Sequence, residues 1–340
     1  MRSAEYDAFG PWIVPVVTPD LVPPLYRDHP LDLERAVLVL KVPRNITRRD
    51  ATPDMDLYDH LVVVEEDRLE LLSRAPGGYD VQTIQHSQVA AIDYGADLLD
   101  GWLTLFTTEI RRAPTGGGVG DARAPGEPAL TMRYNAASEE IVESLVTTLR
   151  RLALGAPASV KVLGTTPGRT APAPGPAPEP SAGALLGLLD LGDLDIGLVT
   201  TQHAIARAEP GLRVLGLHGR RRIAPSNREV LGRVVDLFVP TTLHAAIVLA
   251  GDREVHVLRR RHAVIRSRRP ESSIGRTVLI LPRCAAATVR DDERFVGARV
   301  FSVPVGTAVI ELVVPAGSSS ERALVDVLGV LRPEHVPLRA

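Results

Sequence analysis

The stretch Leu57–Arg74, LYDHLVVVEEDRLELLSR, reads as two short apolar strands around an acidic turn, and it returns as Thr242–Arg261, TLHAAIVLAGDREVHVLRRR. Each copy is followed by the same order of apolar strands and one closing helix. A repeat on this scale predicts two related domains rather than one large one. The two copies match down to an Asp-Arg pair at the hairpin turn, Asp67-Arg68 and Asp252-Arg253, which are expected to be equivalent.

Working outward, the first copy offers short strands at AVLVLKV (36–42), HLVVVEE (60–66), RLELLSR (68–74), VQTI (81–84), SQVAAIDY (87–94), GWLTLFTT (101–108) and ALTMRY (129–134). Their β-branched content and breaks such as APGG favour strands over helices. SEEIVESLVTTLRRL follows, with Ile141, Val142, Leu145, Leu149 and Leu152 at helical spacing and Ser138 placed to cap it. The second copy runs LRVLGLH (212–218), TTLHAAIVLA (241–250), EVHVLRRR (254–261), TVLILP (277–282), AAATVR (285–290), ARVFSV (298–303) and TAVIELVV (307–314). It ends in SSERALVDVLGVL, where Ser319 or Ser320 is the expected cap and Ala323, Leu324, Val327, Leu328 and Leu331 the apolar stripe. Both helices should lay an apolar face on the sheets.

Six or seven short antiparallel strands closed by one amphipathic helix resemble the pleckstrin-homology-like superfold, including its bacterial forms. The resemblance rests on HLVVVEEDRLELLSR and HAAIVLAGDREVHVLRRR, on SQVAAIDY and PRCAAATVR, and on the helices after Ser138 and Ser320. It implies a mainly β (α+β) chain of two barrels or sandwiches, each of about seven antiparallel strands and a C-terminal helix. The implied division is a first domain with its N-terminal arm at 1–153, a Pro/Ala/Gly-rich linker at 154–184 and a second domain with its own arm at 185–335. Trp12 and Trp102 both lie outside the closing helices, where eukaryotic members usually carry a tryptophan. The superfold hosts lipid binders, peptide binders and scaffolds alike, so it does not choose among them.

The 340 residues suffice for two cores. Aromatics are only 4%, so Val, Leu, Ile and Ala must fill them. The linker, containing TTPGRTAPAPGPAPEPSAG, alternates proline with small residues and predicts an extended spacer. The insertion RRAPTGGGVGDARAPGEP predicts a loop, and its GGGVG lacks the lysine and hydroxyl of a phosphate cradle. FGPWIVPVVTPDLVPPLY predicts a strand-like arm across the first domain, and DIGLVTTQHAIARAEP a similar arm before the second. No run approaches the roughly 20 apolar residues of a membrane span, and MRSAEYDAFGPW lacks the apolar core of a signal peptide. A cytoplasmic protein, peripheral at most to the inner face of a membrane, is the expectation.

Charge is divided unevenly. The formal net charge is -2, yet residues 41–110 carry six basic and 13 acidic residues, whereas 211–290 carry 16 basic and five acidic. Only Lys41 and Lys161 are lysines among 39 basic residues, so arginine clusters partly reflect composition. The strongest cluster is RRRHAVIRSRRPESSIGR, with Arg259, Arg260, Arg261, Arg266, Arg268, Arg269 and Arg276; Arg220, Arg221 and Arg222 precede it. Arginine forks match phosphate geometry, so these ten are the candidate anion-binding residues. The alternative is a solvated basic surface whose counter-charge is the acidic first domain or an acidic partner. No Phe, Tyr or Trp interleaves the run to stack bases, which sets nucleic acid aside.

Other features point to structure rather than chemistry. Asp190, Asp193 and Asp195 lack the glycine and closing glutamate of a calcium loop and read as solvated acids. The nine histidines show no metal-ligand spacing, and His60 and His244 occupy the opening strands of their copies. Cys284 reads as a packed thiol. No catalytic residues, cofactor or metal are expected. The reading is a non-catalytic adaptor that binds a protein partner and, through its basic second domain, an anionic membrane surface. A self-associating structural module, a homo-oligomer paired through opposite charge, is the alternative, and an enzyme of unrecognised type the third.

Overall fold

The computed structural model describes residues 6–7, 9–108, 128–156, 191–226, 240–267 and 271–330. The chain is mainly β, 43% strand against 23% helix, arranged in several antiparallel sheets with few helices. It divides into two compact units, Met1–Val89 with Leu98–Ala177, and Ala90–Asp97 with Pro178–Ala340. The linker expected at 154–184 and the insertion expected at 111–128 fall almost wholly outside the described residues.

In the first unit, strands β1 (Val14–Pro15), β2 (Leu38–Pro43), β3 (Tyr58–Val64), β4 (Arg68–Ala75) and β5 (Gly78–Gln85) form one antiparallel sheet in sequence order. Strand β6 (Val89–Asp97) follows but belongs to the second unit, and β7 (Asp100–Thr107) then pairs with β8 (Leu130–Asn135) ahead of helix α1 (Glu139–Ala153). The N-terminal arm builds much of the core: Phe9, Val16, Val22 and Tyr26 are buried with Val39, Leu61, Val63 and Leu72. Trp12 stays half exposed, its ring lying back over Gly10, while Ile13 is buried. The main-chain N–H of Ile13 donates to Ser138 Oγ at 2.8 Å. Ser138 therefore precedes α1 as expected, but its hydroxyl ties down the arm instead of closing the helix end. The buried stripe of α1 is Val142, Leu145, Val146, Leu149 and Leu152, with Val146 in place of the expected Ile141.

In the second unit, β6 pairs with β16 (Ile274–Ile280), placing Ile92 opposite Val278 and Asp93 opposite Thr277. The sheet continues through β14 (Glu254–Arg259) and β13 (Ala246–Ala250) to β9 (Arg213–His218). Two short strands, β10 (Arg221–Arg222) and β11 (Ala224–Pro225), lead on to β12 (Thr241–Leu243), and β10, β12 and β15 (Val264–Arg266) make a separate three-stranded sheet. Strand β17 (Thr288–Asp291), then β18 (Phe295–Val296) against β11, β19 (Ala298–Val305) and β20 (Ala308–Pro315) precede the closing helix. The segment expected as a second strand-like arm is instead helix α2 (Ile196–Ala208). Its Leu198, Val199, Gln202 and Ile205 recur at helical spacing and are buried, with Leu198, Val199 and Ile205 packed among Ile247, Leu249 and Leu258.

Helix α3 (Ser319–Leu328) opens on three serines, each with its own task. Ser318, ahead of both expected caps, accepts from the Glu321 N–H at 3.1 Å. Ser319 Oγ accepts from the Leu217 N–H at 3.1 Å and donates to the Leu217 carbonyl at 2.5 Å. Ser320 Oγ lies 2.9 Å from His218 Nδ1. Gly216 lets this helix end approach the sheet, because a Cβ there would collide with the Ser319 carbonyl. Gly329, left-handed at φ 57°, stops the helix before the expected Leu331, which lies outside the described residues.

The two repeated hairpins superimpose one residue away from their sequence match. Glu65 N–H bonds the Arg68 carbonyl and Gly251 N–H the Glu254 carbonyl, so the two-residue loops are Glu66-Asp67 and Asp252-Arg253. The two Asp-Arg pairs are therefore not equivalent, since backbone bonding sets the register. His244, expected inside the opening strand, lies in the break between β12 and β13.

Candidate anion-binding surface and its buried ion pairs

Four of the ten candidate arginines are engaged by acids of their own unit. Arg260 is almost completely buried, and its Nε and Nη2 donate to Asp195 Oδ1 at 3.3 and 3.0 Å. Its remaining donors reach the carbonyls of Leu194 at 3.1 Å, Ser272 at 3.2 Å and Ser273 at 2.8 Å. Arg220 grips the same carboxylate from the other side, Nη2 to Oδ1 at 3.1 Å and Nε to Oδ2 at 3.3 Å. Asp195 is thus no solvated acid but a fully buried counter-charge shared by two guanidinium groups at the start of α2. Asp193 is exposed as expected, and Asp190 lies outside the described residues.

Arg259 donates to Asp93 Oδ1 at 2.7 Å and to Thr277 Oγ1 at 3.0 Å, and Thr277 donates to the same carboxylate at 2.6 Å. Arg276 is also buried; it donates to Glu209 Oε1 at 2.9 Å, the Tyr94 hydroxyl at 3.3 Å and His256 Nδ1 at 2.8 Å. His256 in turn lies 3.2 Å from Glu254 through Nε2. Burial opposes the charge on Arg276, but Tyr94 and Glu209 outweigh it and hold its pKa above the usual arginine value. Buried charge is costly unless matched in this way. These acids escaped the sequence reading because no local spacing links Asp195 to Arg260 or Asp93 to Arg259, which are 65 and 166 residues apart.

Arg221, Arg222 and Arg266 remain exposed, with Arg261 partly so. The three-stranded sheet sets them around β12: Arg221 lies opposite Leu243 and Arg222 opposite Thr242 on one edge, and Arg266 opposite Thr241 on the other, so that Arg221 and Arg266 share a face and Arg222 stands on the opposite one. Arg268 and Arg269 lie outside the described residues.

Beside this surface sits a buried histidine pair. His218 Nε2–H donates to the His244 carbonyl at 3.0 Å while Nδ1 takes the Ser320 hydroxyl, which suits the neutral ring. Burial, the largest influence, lowers its pKa to about 4. Burial and then Arg220 lower His244 to about 4 as well, although Glu271 lies 3.6 Å from its Nε2. Glu271 also accepts from the His262 N–H at 3.2 Å and from Ser273 Oγ at 2.5 Å, pinning both ends of the arginine-rich loop. Cys284 is partly buried, Sγ directed to the Ile280 carbonyl at 3.5 Å, and burial pushes its pKa up to about 11. Among the described residues, no group of His, Cys, Asp and Glu is arranged to hold a metal ion, and no helix is long and apolar enough to cross a membrane.

The first unit carries a cleft of about 410 Å³ between residues 34–37 and the β3–β4 turn, lined by Glu34, Glu65, Glu66 and Asp67 with Arg35 and Arg68. Arg68 is itself held by Glu65 at 2.7 Å and Glu70 at 2.9 Å, so the rim is acidic in balance. No family model matches the chain, and no curated protein is significantly similar to it.

Proposed function

We propose that this chain is a non-catalytic, cytoplasmic adaptor of two pleckstrin-homology-like modules, bounded near 1–153 and 185–335. In this reading the acidic half docks a protein partner and the basic half rests on an anionic surface. The chain order supports the modules, with β6 contributed to the second unit: β2 to β5, β7 and β8 precede α1, and β9 to β20 precede α3, each series ending in an amphipathic helix. The acidic cleft at the first hairpin turn supports a basic protein partner.

One observation carries the anionic surface. Arg221 and Arg266, from segments more than 40 residues apart, lie on the two edges of one short strand and on the same face of its sheet, both exposed, while Arg222 is exposed on the opposite face. The surface is smaller than the ten-residue set, because Arg220, Arg259, Arg260 and Arg276 neutralise internal acids.

The test is cosedimentation of the full chain with phosphatidylcholine vesicles, with and without phosphatidylserine, at low and physiological salt. A surface arginine contributes about 1 kcal/mol at an anionic membrane. Changing Arg221 and Arg266 together to serine should therefore weaken binding about 30-fold. Equal binding by that variant, or none by the wild type, removes the anionic surface from the reading.

A further inference from the structure

Strand β5 is the last in its sheet, with no strand beyond it among the described residues. Its pairing with β4 runs from Arg68↔Gln85 to Ala75↔Gly78 without a register shift. The His86 N–H bonds the Asp67 carbonyl at 3.1 Å, which identifies 67 and 86 as a bonded pair. Bonded pairs alternate along an antiparallel ladder, so Tyr79, Val81 and Thr83 turn their N–H and C=O groups away from β4. Natural edges are blunted by proline, lysine, bulges or brevity. GYDVQTIQ, eight residues long, has no proline, lysine or bulge, and its one charged side chain is the exposed Asp80.

We infer that β5 is a self-association edge, on which β5 of a second copy pairs antiparallel about a two-fold axis through Val81. In that register Val81 meets Val81, Tyr79 meets Thr83, and Asp80 meets Gln82, twice over by symmetry. No like charges face each other, and aromatic–β-branched pairs are favourable across strands. The Asp80–Gln82 pair answers a second feature. Gln82 Nε2 has no hydrogen-bond partner among the described residues. Buried and unpartnered in the single chain, it would gain the Asp80 carboxylate of the second copy as an acceptor by turning outward. The sequence is thus complementary to itself in the register that the outward-facing backbone groups permit. Self-association through β5 stands whether or not the anionic surface does.

The experiment is sedimentation equilibrium of the full chain over a range of concentrations. Val81→Pro removes an N–H that serves no bond to β4 and so spares the sheet. With two central backbone bonds lost, it should raise the dimer Kd about tenfold or more. Gln82→Glu places a carboxylate opposite Asp80 and should also weaken the dimer, while Asp80→Lys combined with Gln82→Glu should restore it. Circular dichroism reports whether each variant is folded, and if Val81→Pro is not, the weakening and rescue at 80 and 82 decide. A wild type that is monomeric at every concentration overturns the inference, as does a dimer that these substitutions leave unchanged.

Discussion

Asp195 and Arg260 face each other at 3.0 Å with both side chains almost wholly removed from water, although 65 residues separate them in the chain. The carboxylate sits where α2 begins, so the pair, with Arg220, fastens that helix to the segments just after β14 and β9 that carry the arginines. What looked like an arginine-rich exterior is in part the inner wall of an ion-paired core.

Removing that carboxylate should be severe. Asp195→Ala leaves two partly or fully buried guanidinium groups without their counter-charge, and such losses cost about 3–5 kcal/mol. Urea unfolding should show this as a large drop in midpoint, while Asp193→Ala, on an exposed neighbour, stays within about 0.5 kcal/mol of wild type.

Acid should weaken the second unit before its carboxylates titrate. His218 and His244 have folded pKa values of about 4 against 6.5 when unfolded. Between those limits the unfolded chain binds protons that the folded chain refuses, so stability falls as pH drops from about 6.5 towards 4. The slope is up to about 1.4 kcal/mol per pH unit for each histidine. Unfolding free energies measured across this window should flatten in His218→Gln by one histidine's share, and an unchanged slope would refute the assignment.

Gly216 should not tolerate a side chain. Its Cβ would meet the Ser319 carbonyl, so Gly216→Ala must push α3 away from β9 and break the Ser319 bonds to Leu217. A loss of about 1–3 kcal/mol is expected from such overpacking. Gly211→Ala, where a Cβ meets nothing within 4 Å, is the matched control in a thermal melt.

Cys284 should react slowly. With its pKa raised to about 11, little thiolate exists near neutral pH. Ellman's reagent should label the native chain far more slowly than the urea-unfolded chain, and equal rates would show that the thiol is not packed.

The strands were legible because their signals are local. HLVVVEE and RLELLSR carry their own apolar runs and turn, and they fold as β3 and β4 within a residue or two of the expected ends. Helices α1 and α3 were equally legible from apolar spacing, although α3 stops at Gly329, short of the expected Leu331. The second arm was misjudged because its short apolar groups fit a strand or a helix, and packing on β13 and β14 chose the helix.

The sequence by itself therefore determined the β-rich character, the hairpins and the closing helices, since alternation and turn chemistry act between near neighbours. Only the tertiary structure decided which arginines are surface and which are counter-charges. Arg260 finds Asp195, Arg276 finds Glu209 and Arg259 finds Asp93 across 65, 67 and 166 residues. Charge neutralisation in a buried site depends on distance in space, which no spacing along the chain encodes.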